Sequence, residues 1–287
     1  MENKTTRAPY QQMIRLESKI STLVNSLPEV DINQPVCPFC NAQQKVTIPH
    51  AGTRDQGIRK HCDCTQMQEY LKQKRQLREL EEQLMIMQQR DDFRKKRAWK
   101  MYEESGVGKR FLTASFENYE RERMPKAYDI ALRYAETFDK NDGEGLLFTG
   151  DVGTGKTHLA AAISAEIIRK YSATVEFVSF TEALATMRAA FSESNNNDQI
   201  LEERMRKADL LVIDDLGKEN LSAFTKNVLY RVVNGRYKDK LPLIITSNYE
   251  IESLSERLDY GTFSRIADVC KVVEMRGIDY RMKDYLR

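Results

Sequence analysis

The 287-residue sequence predicts an α/β fold in its second half, a parallel sheet with helices on both faces, preceded by a small cysteine module and a helical linker. Three observations predict it. After residue 105, five apolar runs of strand type alternate with helical patterns, as repeated βαβ units require. A glycine-rich turn, "GDVGTGKT", joins the first of these runs to a helix. Four of the five cysteines fall between residues 37 and 64, in a stretch too poor in apolar residues to hold a core of its own.

Taken in order, the segment "YQQMIRLESKISTLVNSL" over residues 10–27 places Met13, Ile14, Leu16, Ile20, Leu23, Val24 and Leu27 at near-helical spacing. It predicts a short amphipathic helix ending before Pro28, within an N-terminal segment covering 1–35. A module over 36–64 follows. Cys37 and Cys40 form a C-x₂-C pair and Cys62 and Cys64 a C-x-C pair. Four thiolates at this spacing can close a tetrahedral structural zinc site. Because the second pair departs from C-x₂-C, His61 stays open as a replacement ligand, with His50 a weaker candidate. A redox role for "CPFC" fails on context, since no βαβ unit surrounds it. Zinc binding would contribute folding free energy on the order of 10 kcal/mol to a segment that lacks a core.

Residues 65–104 contain no Gly or Pro and are rich in strong helix formers, which predicts a long charged helix or helical pair linking the two halves. Its run "RKKRAWK", with Trp99 among cations, reads as a solvated helix face in preference to a nucleic-acid contact. The α/β domain is expected over 105–287, with strands in "GLLFTG", "TVEFVSF", "DLLVIDD", "PLIITSN" and "CKVVEM". The patch "SESNNNDQ" from Ser192 predicts an exposed loop, and Cys270 a small buried hydrophobe. Lys and Arg total 45 against 43 Asp and Glu, so the net charge of +2 argues for no global polyanion binder. No apolar run approaches the roughly 18 residues of a membrane span, and the first residues lack the apolar core of a signal peptide. The expectation is a soluble cytoplasmic protein without a membrane partner.

The chemistry begins at Gly150, Asp151, Val152, Gly153, Thr154, Gly155, Lys156 and Thr157, followed by His158. This run satisfies G-x-x-x-x-G-K-[ST] between a strand and a helix, the context in which it binds nucleotide phosphates. Glycines let the backbone curl so that its N–H groups face phosphate, and the helix N-terminus adds its dipole. Lys156 is expected to reach the β/γ-phosphates of ATP and Thr157 to ligate Mg²⁺. "LLVIDDLG" delivers two carboxylates at the C-terminal edge of a buried strand: Asp214 as the Mg²⁺ partner and Asp215 as the group that orients the attacking water. Asn248, at the end of "LIITSN", is placed to hydrogen-bond that water or the γ-phosphate. Arg257, Arg265 and Arg281 are candidates for stabilising phosphate charge.

"GDVGTGKTHLA", "DLLVIDDLG", "TSN", "SRI" and "GIDYR", in this order and spacing, resemble the AAA+ ATPases of the DnaC/DnaI type, bacterial and phage loaders of the replicative helicase. "RFLTASFENYE" looks like that family's entry segment, and the cysteine region is similar to the zinc-binding front end of DnaI-like and phage loaders. The resemblance implies Asn248 as the sensor 1 residue, Arg265 as an arginine finger offered to the next subunit's nucleotide, and Arg281 as the sensor 2 arginine. It also implies self-association through the AAA+ domain with ATP at the subunit interfaces, and a DnaB-type helicase bound through the N-terminal region. Single-stranded DNA would contact the helical insert around Arg188 and Phe191, where Phe191 fits base stacking and core packing equally. Asp215 stands where many AAA+ members have Glu, which predicts slow or partner-stimulated hydrolysis. With six residues after Arg281, no C-terminal lid domain is expected. An IstB-like transposition helper and an ATP-binding adaptor without turnover are the alternatives.

Overall fold

A computed structural model describes residues 4–29, 36–42, 45–47, 58–60, 63–193, 197–217 and 222–282. The chain divides into two units, Met1–Phe93 and Arg94–Arg287.

In the first unit, helix α1 spans Lys4–Ser26, starting earlier than the apolar stripe required. Leu16 is buried, and Met13, Ile20, Leu23 and Leu27 are partly covered, so the covered stripe follows strict three- and four-residue steps. Ile14 and Val24, read as part of that stripe, are 46% and 47% exposed because they fall beside it. The cysteine module contains a turn in which the N–H of Cys37 donates to Ala42 and that of Asn41 to Cys37. Two short antiparallel strands follow, β1 (Lys45–Thr47) and β2 (Ile58–Lys60). Helix α2 runs unbroken over Thr65–Glu104, the continuous form of the expected linker. Met67 and Tyr70 in its first turns are buried, and the Tyr70 ring lies 5.6 Å from Phe39 of the cysteine turn. The boundary between the two units falls within α2, whose last turns belong to the second unit.

The second unit holds all five expected strands: β3 (Gly145–Gly150), β4 (Val175–Ser179), β5 (Leu210–Asp214), β6 (Leu243–Thr246) and β7 (Cys270–Met275). They form one parallel sheet in the order β4-β5-β6-β3-β7. Side chains alternate between its faces. Leu146, Phe148, Leu210, Val212 and Ile244 join a core with helices α3 (Pro125–Glu136) and α4 (Lys156–Tyr171). Leu147, Leu211, Ile213, Leu243 and Ile245 face the opposite core with α5 (Phe180–Glu193), α6 (Asn197–Lys207), α7 (Ala223–Lys238), α8 (Ile251–Arg257) and α9 (Tyr260–Val269). The segment after α2 is tied to β4, whose Phe177 N–H donates to Ser105 O at 2.7 Å. Both ends of the expected loop at "SESNNNDQ" are helical, and residues 194–196 lie outside the described residues. Ser192 and Glu193 close α5, and α6 opens at Asn197, because Asn and Asp suit the orphan N–H groups of a helix start. Cys270 is buried as expected, and burial pushes its thiol up to about 12. No helix among the described residues is long and apolar enough to cross a membrane.

Candidate nucleotide site and cysteine cluster

β3 is buried along its whole length and delivers the chain to the C-terminal edge of the sheet, next to β6 on one side and β7 on the other. Open α/β sheets bind ligands at this edge, where the strand order reverses. The loop turns on Gly150, Gly153 and Gly155, with φ of 114°, 76° and 96°. Gly155 caps α4, and a Cβ there would lie 2.7 Å from the Tyr119 ring. At Gly153 a Cβ would fall on the Asp279 side chain. Both positions need glycine for its backbone freedom and for close approach.

Lys156 is almost wholly buried, and its ammonium donates to Gly150 O at 2.8 Å and Asp151 O at 2.7 Å. Burial pulls the amine down to about 8; Asp215, Asp151 and Asp214 act against that shift, and Arg281 adds to it. Thr157 Oγ1 donates to Asp214 Oδ1 at 2.8 Å, and Thr246 Oγ1 donates to the same oxygen at 2.6 Å. Thr246 also accepts from the N–H of Asp215 at 2.9 Å, so one hydroxyl of β6 orders both carboxyl residues of β5. Asp215 adopts a left-handed conformation, φ 57°, and its Oδ1 accepts from Asn248 Nδ2 at 3.0 Å. Asn248, expected to meet water or phosphate, has its amide on Asp215.

A cavity of about 320 Å³ lies over this loop. Lys156, Thr157, Asp215, Asn248 and Arg281 line it, together with Val152, Gly153, Thr154, Gly155 and His158. The opposite wall is the entry segment, with Phe111, Ala114, Asn118 and Tyr119. Tyr119 ties that wall to the phosphate loop by donating to Thr154 O at 3.1 Å, and burial raises its phenol to about 12. His158 contacts Ser115 O at 3.0 Å. A second strap closes from the C-terminal side: the N–H of Gly277 donates to Asp151 Oδ2 and that of Tyr280 to Gly153 O. Arg123 stacks over the Tyr280 ring at 4.8 Å. The structure thus gathers nearly all the expected phosphate-site residues. Asp214 sits behind Thr157, and Asp151 points into the strap.

Arg265 is not in this cavity. Its guanidinium lies on α7, with Nε donating to Asn234 Oδ1 at 2.9 Å and Nη1 to Gly261 O at 2.8 Å. Arg257 stacks on Tyr249 at 4.0 Å and donates to Gly217 O. Sequence reasoning passed over Thr246, Tyr119, Arg123 and Tyr280. The polar end of "LIITSN" next to "VIDD" was the available signal for Thr246.

In the first unit, the sulfurs of Cys37, Cys40 and Cys64 lie within 4.8 Å of one another, with Cys37 Sγ 3.8 Å from Cys64 Sγ. Two thiolates on a tetrahedral zinc, with Zn–S of about 2.3 Å, stand about 3.8 Å apart, so the set fits a structural zinc ion. Burial opposes ionisation of Cys37. The N–H groups of Phe39 and Cys40 and the thiols of Cys40 and Cys64 outweigh it and bring the thiol down to about 7, in keeping with a metal ligand. Cys62, His61 and His50 lie outside the described residues, as do the side chains of Arg188 and Phe191.

Comparison with known proteins agrees with this geometry. The family model "IstB-like ATP binding protein" matches residues 65–287. The replicative helicase loader DnaC of Escherichia coli K12 is 32% identical over 178 residues, which cover 60% of this chain and 72% of that protein. A crystal structure of the DnaC helicase loader superposes with a TM-score of 0.54 at 25% identity, covering 58% of this chain and 99% of that one. The structure of DnaI gives 0.52 at 25% identity, covering 61% and 94%. On these matches and the phosphate-site geometry, the chain belongs to the IstB/DnaC family of ATP-binding proteins.

Proposed function

We propose that this protein is an ATP-dependent loader of a hexameric, DnaB-type replicative helicase onto single-stranded DNA. The observation that carries the proposal is the joining of Lys156, Thr157, Asp214, Asp215 and Asn248 in one site, in a chain 32% identical to a DnaC loader over 178 residues. When ATP enters, Lys156 exchanges its two loop carbonyls for the β/γ-phosphates, the stronger acceptors. Thr157 and Asp214, in contact at 2.8 Å, would hold Mg²⁺, which would supply charge neutralisation to the phosphates. Asp215, oriented by Asn248, accepts the hydrogen bond of the attacking water, and Arg281 faces the phosphates from the pocket wall. Arg265 serves the nucleotide of a neighbouring copy, in keeping with its place on α9 against α7 and not in the lining of its own cavity. Bound ATP holds the assembly and turnover releases it.

The segments over 1–35 and 36–64, with Cys37, Cys40, Cys62 and Cys64 on zinc, form the helicase-binding end; 65–104 is the linker and 105–287 the ATPase. The metal supplies folding free energy there and no chemistry. Co-purification with the replicative helicase in the presence of Mg²⁺ and ATP tests the reading. Recovery of the helicase with the wild-type chain and its loss with Lys156→Ala are the expected results. The matched family model favours one second reading, a transposition helper of IstB type. Capture of a transposase without helicase would select it.

A further inference from the structure

Arg265, like Arg257 and Arg236, is held by neutral partners, in contrast to four other arginines of the second unit. Arg231 pairs with Glu202, Arg204 with Glu176, Arg169 with Glu166 and Arg276 with Glu250, each within 3 Å of a carboxylate. Among the described residues Arg265 makes no ion pair. Its acceptors are the amide oxygen of Asn234 and the carbonyl of Gly261, both neutral, and its cation lies 5.2 Å from the Tyr230 ring centre and 5.7 Å from that of Tyr237. Neutral acceptors and π faces fix a guanidinium without cancelling its charge. Nε and Nη1 each donate once, so two of its five N–H donors are used and the Nη2 end of the guanidinium retains capacity for a phosphate.

The holder is rigid. Tyr230, Asn234 and Tyr237 stand at i, i+4 and i+7 along one face of α7. Tyr237 is fixed by its hydroxyl on Asp268 Oδ2 at 2.8 Å. Two residues beyond Asn234, the fully buried Arg236 donates to the carbonyls of Met205, Arg206, Ala208 and Pro242, pinning this turn of the helix to the sheet and to the end of α6. The surrounding face is open, with Tyr260 at the start of α9 87% exposed.

We infer that Asn234, supported by Tyr230 and Tyr237, is a positioning residue that keeps Arg265 as a pre-oriented cation outside any ion pair, available to the phosphates of a nucleotide held by a second copy of this chain. The inference rests on the proposed role of Arg265 in trans. Without Asn234 the guanidinium loses its lateral anchor and samples rotamers, at the cost that misplacement of a catalytic group carries.

Mixing full-length variants separates the two claims. A donor chain with Asp215→Asn binds ATP and offers Arg265 but turns over slowly; an acceptor with Arg265→Ala has an intact pocket. Their mixture should hydrolyse ATP faster than the two measured apart. Adding Asn234→Ala to the donor should cut the restored kcat about tenfold with KM for ATP unchanged. Tyr230→Leu in the donor, which keeps apolar bulk but removes the π face, should give a smaller loss of the same kind and replaces the alanine variant should circular dichroism show that one unfolded. A donor carrying Asn234→Ala that restores the full rate overturns the inference and leaves the trans role of Arg265 standing. A mixture that restores nothing with Asn234 intact overturns both.

Discussion

Lys156 donates to two carbonyls of its own loop while burial holds its amine at about 8, far below the usual value of 10.5. The sign of the consequence is fixed. Between about pH 8 and 10.5 the folded protein binds fewer protons here than the unfolded chain, so the penalty of burying this ammonium fades and stability rises with pH through that window. ATP binding needs the ammonium and runs the other way: affinity should be constant below about pH 8 and fall by up to tenfold per unit above it, read by calorimetric titration. Gly155→Ala should also abolish ATP binding, because a Cβ would meet the Tyr119 ring and an alanine at φ 96° is strained by about 1–2 kcal/mol. A melting-temperature drop alongside loss of nucleotide checks it. Thr246→Ala removes a donor from Asp214 and the acceptor of the Asp215 N–H together, and should raise the Mg²⁺ concentration needed for half-maximal hydrolysis several-fold. The placement of the glycines, Lys156 and Asp214 at one site was legible in the sequence because local motifs fix their spacing. Thr246 and Tyr119 were not, because their partners are chosen by the adjacency of β5 and β6 and by the entry segment folding back onto the loop.

Elements were legible wherever one physical signal dominated. The five strands are apolar runs with little polar interruption because helices cover both faces of the sheet, and α2 continues for 40 residues because nothing in it breaks a helix. Polar composition misled at "SESNNNDQ", where the same residues that favour loops also favour helix starts. At the cysteine turn, spacing pointed to a cluster, and three sulfurs meet at the start of α2 where Met67 and Tyr70 supply what little apolar burial exists. Cys37→Ser should therefore abolish zinc binding, measured by metal analysis of the purified chain, and make the first unit protease-sensitive. ATP affinity at Lys156 should be unchanged. Loss of nucleotide binding in that variant would contradict the assignment of the two sites to separate units.

At the scale of the whole molecule, one unit carries the cysteine cluster and the other the phosphate site, with α2 running through the boundary between them. The phosphate site alone is common to many ATP-driven machines, so the client is the claim with most at stake. It is tested most directly by combining the full-length chain, a DnaB-type helicase hexamer and single-stranded DNA, and counting helicase on the DNA with and without Mg²⁺ and ATP. The account predicts that helicase reaches the DNA at an increased rate only with the wild-type chain and nucleotide, and that Lys156→Ala and Cys37→Ser each abolish the gain. Unchanged helicase loading, with ATP bound normally by the chain, would contradict it.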